Sequence, residues 1–231
     1  MSFSDKHIVV TGGTGALGAA VVRTLLEQGA RCTVPYVHDS EAQQFAARDH
    51  ANVRLIGVRS LAEEADVARV YDAVAAPLWA SVHIAGGFAM GKVADTDRGA
   101  LMAQLETNLI SCFLCCRAAV RAMRGEGRIV NVAARPALEW RGGAGMTAYA
   151  VAKTGVAALT VALAEEVAKD GILVNAVAPS IMDTPANRAA MPKADHAAWP
   201  KVEQVAASIL FLASPDNRVT RGAVVPVYGR S

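Results

Sequence analysis

Short runs of β-branched residues alternate with longer helical patterns along almost the whole chain, and this constrains the fold more than any other feature. Strands are expected at His7–Thr11, Arg31–Tyr36, Val53–Val58, Ser81–Ala85, Gly127–Ala133, Ile172–Ala178 and Ala223–Val227. Helical periodicity covers Ala16–Gln28, Ser40–His50, Glu63–Ala75, Asp97–Met123, Ala148–Lys169 and Val202–Ala213. Strands joined through helices form right-handed βαβ units, so the pattern predicts a doubly wound α/β domain. Its parallel sheet would have about seven strands, with helices on both faces. A chain of 231 residues with 53% hydrophobic content fits one such domain over residues 1–231. The one long irregular stretch, with Pro185, Pro192 and Pro200, is expected to be a substrate-side lid loop around residues 180–201.

Composition narrows the partners. The 23 basic and 21 acidic residues nearly cancel and form no basic block, which argues against nucleic acid. No uncharged apolar run free of Gly and Pro approaches the ~18 residues of a membrane span, and Ile8–Val10 is too short for a signal-peptide core. A soluble cytoplasmic protein is expected. Cys32 stands alone, and Cys112, Cys115 and Cys116 crowd one helix as small apolar filler. His7, His50 and His196 do not cluster with cysteines or paired acids, so no metal site is predicted. No Gly-x-Ser-x-Gly elbow points to a hydrolase.

The segment Thr11-Gly12-Gly13-Thr14-Gly15-Ala16-Leu17-Gly18 lies between the first strand and the first helix. In that context glycines allow a tight turn and let a pyrophosphate approach the backbone, while the helix start offers N–H groups to the phosphates. Gly12, Thr14, Gly15, Ala16, Leu17 and Gly18 are therefore candidate dinucleotide contacts. An acid closing the second strand would bind the ribose hydroxyls and repel a 2′-phosphate. Tyr36 stands there instead, followed by Val37 and His38, and the nearest acids, Asp39 and Glu41, lie past the strand. Tyr36 could stack near adenine and His38 could donate to a 2′-phosphate, or both could be ordinary loop residues. The missing carboxylate tips the expectation slightly towards NADP(H) over NAD(H).

Tyr149 and Lys153 stand at i and i+4, on one helical face. A cation within a few ångströms favours the phenolate, so the pair suits a proton donor and acceptor working beside a hydride carrier.

Taken together, these residues resemble the short-chain dehydrogenase/reductase family over essentially the whole chain. The resemblance implies a Rossmann domain and an NAD(P)(H)-dependent oxidoreductase acting on a small carbonyl or alcohol. Tyr149 would be its general acid/base, Lys153 the ribose anchor, and Asn108 the residue holding a relay water. It also implies cofactor contacts from Ala85, Gly86 and Gly87. Further contacts are implied on the nicotinamide side from Pro179, Ile181 and Thr184, following Val174-Asn175-Ala176-Val177-Ala178. The family's homodimers and homotetramers are built through long helices, here Asp97–Met123 and Ala148–Lys169.

Three positions depart from the family pattern. His83-Ile84 replaces a polar pair ahead of Ala85-Gly86, and Val58 replaces the acid that meets the adenine amine. Ala134 stands where the catalytic serine is expected, a donor whose loss can cost on the order of 10²–10³ in rate. Arg135 and Thr147 are the candidate substitutes. Dihydropteridine reductases, a branch that keeps the Tyr and Lys but lacks the serine, are similar around 85–91, 133–138, Gly145-Met146 and 183–195. A quinonoid dihydropterin reductase is thus the alternative enzyme. A non-catalytic cofactor-binding sensor or scaffold is the alternative from another class. Trp140 and Trp199 are candidates to line a flat-ring substrate site, whereas Trp79 is expected in the core.

Overall fold

The computed structural model describes residues 2–74 and 77–231. Seven parallel strands form one sheet: β1 (His7–Thr11), β2 (Arg31–Tyr36), β3 (Val53–Gly57), β4 (Leu78–His83), β5 (Gly127–Val132), β6 (Ile172–Pro179) and β7 (Val224–Val227). Their order is β3-β2-β1-β4-β5-β6-β7. The order reverses between β1 and β4, and in open α/β sheets ligands bind in the crevice outside the strand ends at such a switch point.

The central strands β1, β4 and β5 are buried at every position, as strands of a parallel sheet covered on both faces should be, polar Ser81, His83, Arg128 and Asn131 included. Alternation divides their side chains between two cores. Ile8, Val10 and Val130 pack with Val21 and Leu25 of α1 (Ala16–Glu27) and Ile209 and Leu212 of α8 (Val202–Ala213). Val9, Ile129 and Val174 face Val70 of α3 (Glu64–Asp72), Cys116 of α5 (Ser111–Ala122) and Val156 of α6 (Thr147–Glu166).

Several boundaries differ from the sequence expectation. The second helix is only α2 (Asp39–Gln44), because Phe45 turns inward and is buried instead of continuing the helix to His50. The third helix ends at Asp72, and its expected end at Ala75 lies outside the described residues. Strand β4 starts earlier, and Ile84 and Ala85 leave the sheet to bond back to Thr11. The expected helix Asp97–Met123 is α4 (Arg98–Leu105) and α5 joined by a π-helical turn at Glu106–Ile110. Residues 180–201 are not irregular throughout. Thr184 caps α7 (Pro185–Ala190) through a hydrogen bond from the Asn187 N–H, with Pro185 in the first turn.

The continuous helical stretch Arg98–Ala122 and α6 are each long and apolar enough, by length and composition, to cross a membrane. In this fold both belong to the layer packed on one face of the sheet, and Trp79 is in the core as expected.

Candidate active site

The glycine turn sits directly beneath the β4 exit. Gly12 has a φ of +67°, and a β-carbon there would stand 2.7 Å from the Ala85 nitrogen. A β-carbon on Gly18 would collide with the Gly12 carbonyl oxygen. Gly15 precedes α1 as its N-cap, where no side chain caps the helix and no acid occupies the first turn. Its own β-carbon would meet nothing nearer than the Gly12 oxygen at 3.5 Å, so this edge of the turn opens outward. A cradle of close backbone with uncapped helix N–H groups fits a pyrophosphate.

The turn forms one wall of a cleft of about 530 Å³. Of the residues expected from sequence, Gly12, Thr14, Gly15, Ala16, Leu17, Gly18, Tyr36, His38, Ala85 and Gly86 line it together. Val58, read in sequence as the adenine-side position, does line the cleft, but sequence reasoning missed Arg59–Ala62 after it, and Glu106, Thr107 and Ser111 from the π-helical turn and its end. It also set Glu41 aside, yet that carboxylate lines the cleft and accepts a hydrogen bond from the Thr14 hydroxyl at 3.4 Å. Asp66 holds the Val58–Ala62 loop by accepting from the Arg59 and Ser60 N–H groups at 2.8 and 3.1 Å. Those backbone donors, the Ser60 one foremost, keep its carboxyl below the usual aspartate range.

Gly86 joins this cleft to α6, the helix that carries Tyr149 and Lys153. A β-carbon built there would lie 2.7 Å from Asn108 Oδ1 and 3.3 Å from Lys153 Nζ. Asn108, in the π-helical turn, is clamped to Gly87: its Nδ2 donates to the Gly87 carbonyl at 2.9 Å and its Oδ1 accepts from the Gly87 N–H at 3.2 Å. Lys153 is buried and donates to the Val132 carbonyl at 2.8 Å, with Nζ 6.0 Å from the centre of the Tyr149 ring. Burial lowers its pKa to about 8, and burial raises that of Tyr149 to about 12. In the free protein, desolvation therefore outweighs the nearby cation, and the phenol keeps its proton at neutral pH.

Phe88 packs edge-on against Tyr149, with centroids 5.0 Å apart and planes at 88°, and is itself 59% exposed. Sequence singled out Phe88 only as part of the 85–91 stretch, without a role, since a lone aromatic in a loop has no periodicity. The two candidate tryptophans lie elsewhere. Trp140 is exposed and lines a groove on the outer side of α6 with Pro136 and Val151, and Trp199 is buried against His196. Ala134 is buried and carries no hydroxyl at the position of the missing serine. Arg135 is engaged by Glu139 at 2.7 Å and lies over the Tyr228 ring, while Thr147 lines the outer groove. Pro179, Ile181 and Thr184 stand at and beyond the end of β6, outside the cleft lining, with the Thr184 hydroxyl spent on capping α7.

Behind the site, His83 Nδ1 lies 2.8 Å from Asn131 Oδ1, and the Cys112 and Cys116 thiols donate to the same oxygen at 3.3 and 3.5 Å. Histidine and cysteine thus do meet, contrary to the picture of simple apolar filler. Their ligand atoms lie within 4.8 Å of one another. His83 Nε2 is also bonded to Ser81 and Tyr71, which makes the group a saturated hydrogen-bonded knot between β4, β5 and α5.

Comparison with known proteins settles the family: residues 6–195 match the short chain dehydrogenase family. The chain belongs to the short-chain dehydrogenases. It is 35% identical to a cis-4-hydroxycyclohexanecarboxylate dehydrogenase of Sinomonas cyclohexanicum, covering 99% of this chain and 97% of that one. It is 29% identical to a 3-oxoacyl-[acyl-carrier-protein] reductase of Vibrio cholerae, covering 99% and 98%. Among solved structures, a blue fluorescent protein from a metagenomic library, in complex with NADPH, superposes with a TM-score of 0.87 at 28% identity, covering 99% and 98%. A short-chain dehydrogenase with such relatives is an oxidoreductase, and the sensor or scaffold alternative gains no support from them. The narrower likeness to dihydropteridine reductases is not shown by these matches.

Proposed function

We propose that this chain moves a hydride between a nicotinamide dinucleotide and a small carbonyl or alcohol substrate, with Tyr149 as general acid/base. The observation that carries the reading is the convergence on Gly86, where the dinucleotide cleft, Asn108 and Lys153 come within one side chain of each other. When bound, NAD(H) or NADP(H) supplies or accepts the hydride. The turn Gly12–Gly18 receives the pyrophosphate, Tyr36 and His38 the adenosine end, and Ala85, Gly86 and Gly87 the middle of the cofactor. Pro179, Ile181 and Thr184 serve its nicotinamide end. Tyr149, protonated at neutral pH, gives its proton to the substrate oxygen in the reductive direction and recovers one through Lys153. Asn108 fixes the Gly87 backbone and supports that relay. The small-molecule substrate enters beside Phe88, which packs on Tyr149, and Met90, both of them exposed.

A second reading is favoured by one observation: the buried residue where the family serine is expected is Ala134, which has no hydroxyl to donate. An easily reduced acceptor such as a quinonoid dihydropterin needs less activation of its acceptor atom than a ketone does. Exposed Leu101, Phe113, Val151 and Val161 on the long helices support a homodimer or homotetramer.

The test is a binding titration with NADH and NADPH, followed by a panel of ketones, alcohols and quinonoid dihydropterin with the tighter coenzyme. Coenzyme consumption with a carbonyl or alcohol supports the first reading, and consumption with the pterin alone supports the second. Consumption with none of them overturns both.

A further inference from the structure

Sequence offers no acid at the end of β2, and on that ground the expectation leans slightly towards NADP(H). The fold supplies an acid from a different place. Glu41 lies in the first turn of α2, about 20 residues beyond the glycine turn, the distance at which an acid of this fold class reaches the ribose. Its carboxylate spans the opening between the end of β2 and the glycine turn, accepts from Thr14 at 3.4 Å and lines the cleft beside Tyr36 and His38. Asp39, in the same turn of α2, does not line it. We infer that Glu41 selects the coenzyme, accepting a hydrogen bond from a 2′-hydroxyl and repelling a 2′-phosphate, so that the chain prefers NAD(H) over NADP(H).

This rests on the dinucleotide reading above and deepens it. Two cationic or potentially cationic side chains share the cleft, Arg59 and His38, and either could draw a 2′-phosphate. Arg59 faces Asp66 at 4.0 Å, so part of its charge is already answered. Glu41 has no such cationic partner among the described residues; its recorded contact is the neutral Thr14 hydroxyl. A 2′-phosphate placed against that carboxylate would set like charges together at low separation, an arrangement that discriminates strongly between partners. A 2′-hydroxyl would instead replace the long Thr14 hydrogen bond with a charge-assisted one.

The experiment measures dissociation constants of NADH, NADPH and the fragment 2′,5′-ADP by calorimetry. It compares the unmodified protein with Glu41→Gln and, as a control of equal charge change, Asp39→Asn. The expected result is at least about tenfold tighter NADH than NADPH in the unmodified protein. Glu41→Gln should close that ratio by about tenfold, chiefly by tightening NADPH and 2′,5′-ADP, while Asp39→Asn changes it less than twofold. Both variants alter exposed helix positions, and circular dichroism checks that they fold. Tighter NADPH in the unmodified protein, or equal ratios in both variants, would overturn the role of Glu41 while leaving dinucleotide binding intact. Failure to bind any of the three nucleotides would overturn the dinucleotide reading and this inference with it.

Discussion

Lys153 and Gly86 are so close that a single β-carbon on the glycine would stand 3.3 Å from the lysine nitrogen. Helix α6 and the cleft walled by the glycine turn are thereby in contact, and the consequences can be measured one residue at a time.

Removing the Tyr149 hydroxyl should separate chemistry from binding. The ring packs on Phe88 and the oxygen has no hydrogen-bond partner recorded among the described residues, so Tyr149→Phe preserves the packing. Turnover should fall by about 10²–10⁴ while the coenzyme dissociation constant stays within about twofold. Full turnover in that variant would sink the assignment.

Lys153 titrates near neutrality because it is buried, with a pKa of about 8. It is charged below that value and neutral above it, whereas Tyr149 at about 12 holds its proton throughout. For carbonyl reduction, kcat/KM should therefore be level below pH 8 and decline as pH rises through it. Lys153→Arg keeps the charge at every accessible pH and should abolish the inflexion, even where it lowers the rate. A profile with the same inflexion in the variant would assign it to another group.

Restoring a hydroxyl at the position of the missing serine offers a test of substrate type. Ala134→Ser should speed reduction of an unactivated ketone by about tenfold or more, because a preorganised donor of this kind is worth up to 10²–10³. An activated, quinonoid acceptor should show little change. Equal effects on both would separate Ala134 from substrate activation.

Asp66 ties the N–H groups of Arg59 and Ser60 and the Arg69 guanidinium, at 2.8, 3.1 and 3.0 Å, to one carboxylate. Asp66→Ala should lower stability by about 2 kcal/mol in urea denaturation. It should also weaken coenzyme binding severalfold, since the loop it holds is a wall of the cleft. Stability loss with unchanged binding would show that the wall does not depend on this anchor.

Much of this arrangement was legible in the chain itself. Strand and helix periodicities, the glycine turn and the Tyr149–Lys153 spacing are local signals, and the element order they imply is the one that forms, although the second helix stops short at Gln44 and β4 is displaced to Leu78–His83. The return of Glu41 to Thr14 and the approach of Phe88 to Tyr149 depend on how loops fold over the sheet edge, which no local period records. The π-helical turn around Asn108 adds one residue to a turn inside an unbroken helical pattern, and so leaves apolar spacing almost unaltered. Helix α7 did carry a local signal, Thr184 followed by Pro185, but Pro192 and Pro200 disguised the capped start as part of a breaker-rich loop.

The sulfurs have a practical consequence. Cys32, Cys112, Cys115 and Cys116 are all buried, on both sides of the sheet. An alkylating reagent can reach them only after the layers part, so the pace of modification becomes a stopwatch for opening of the interior. Adduct masses at successive times would then reveal whether the two faces come apart in one event or in turn.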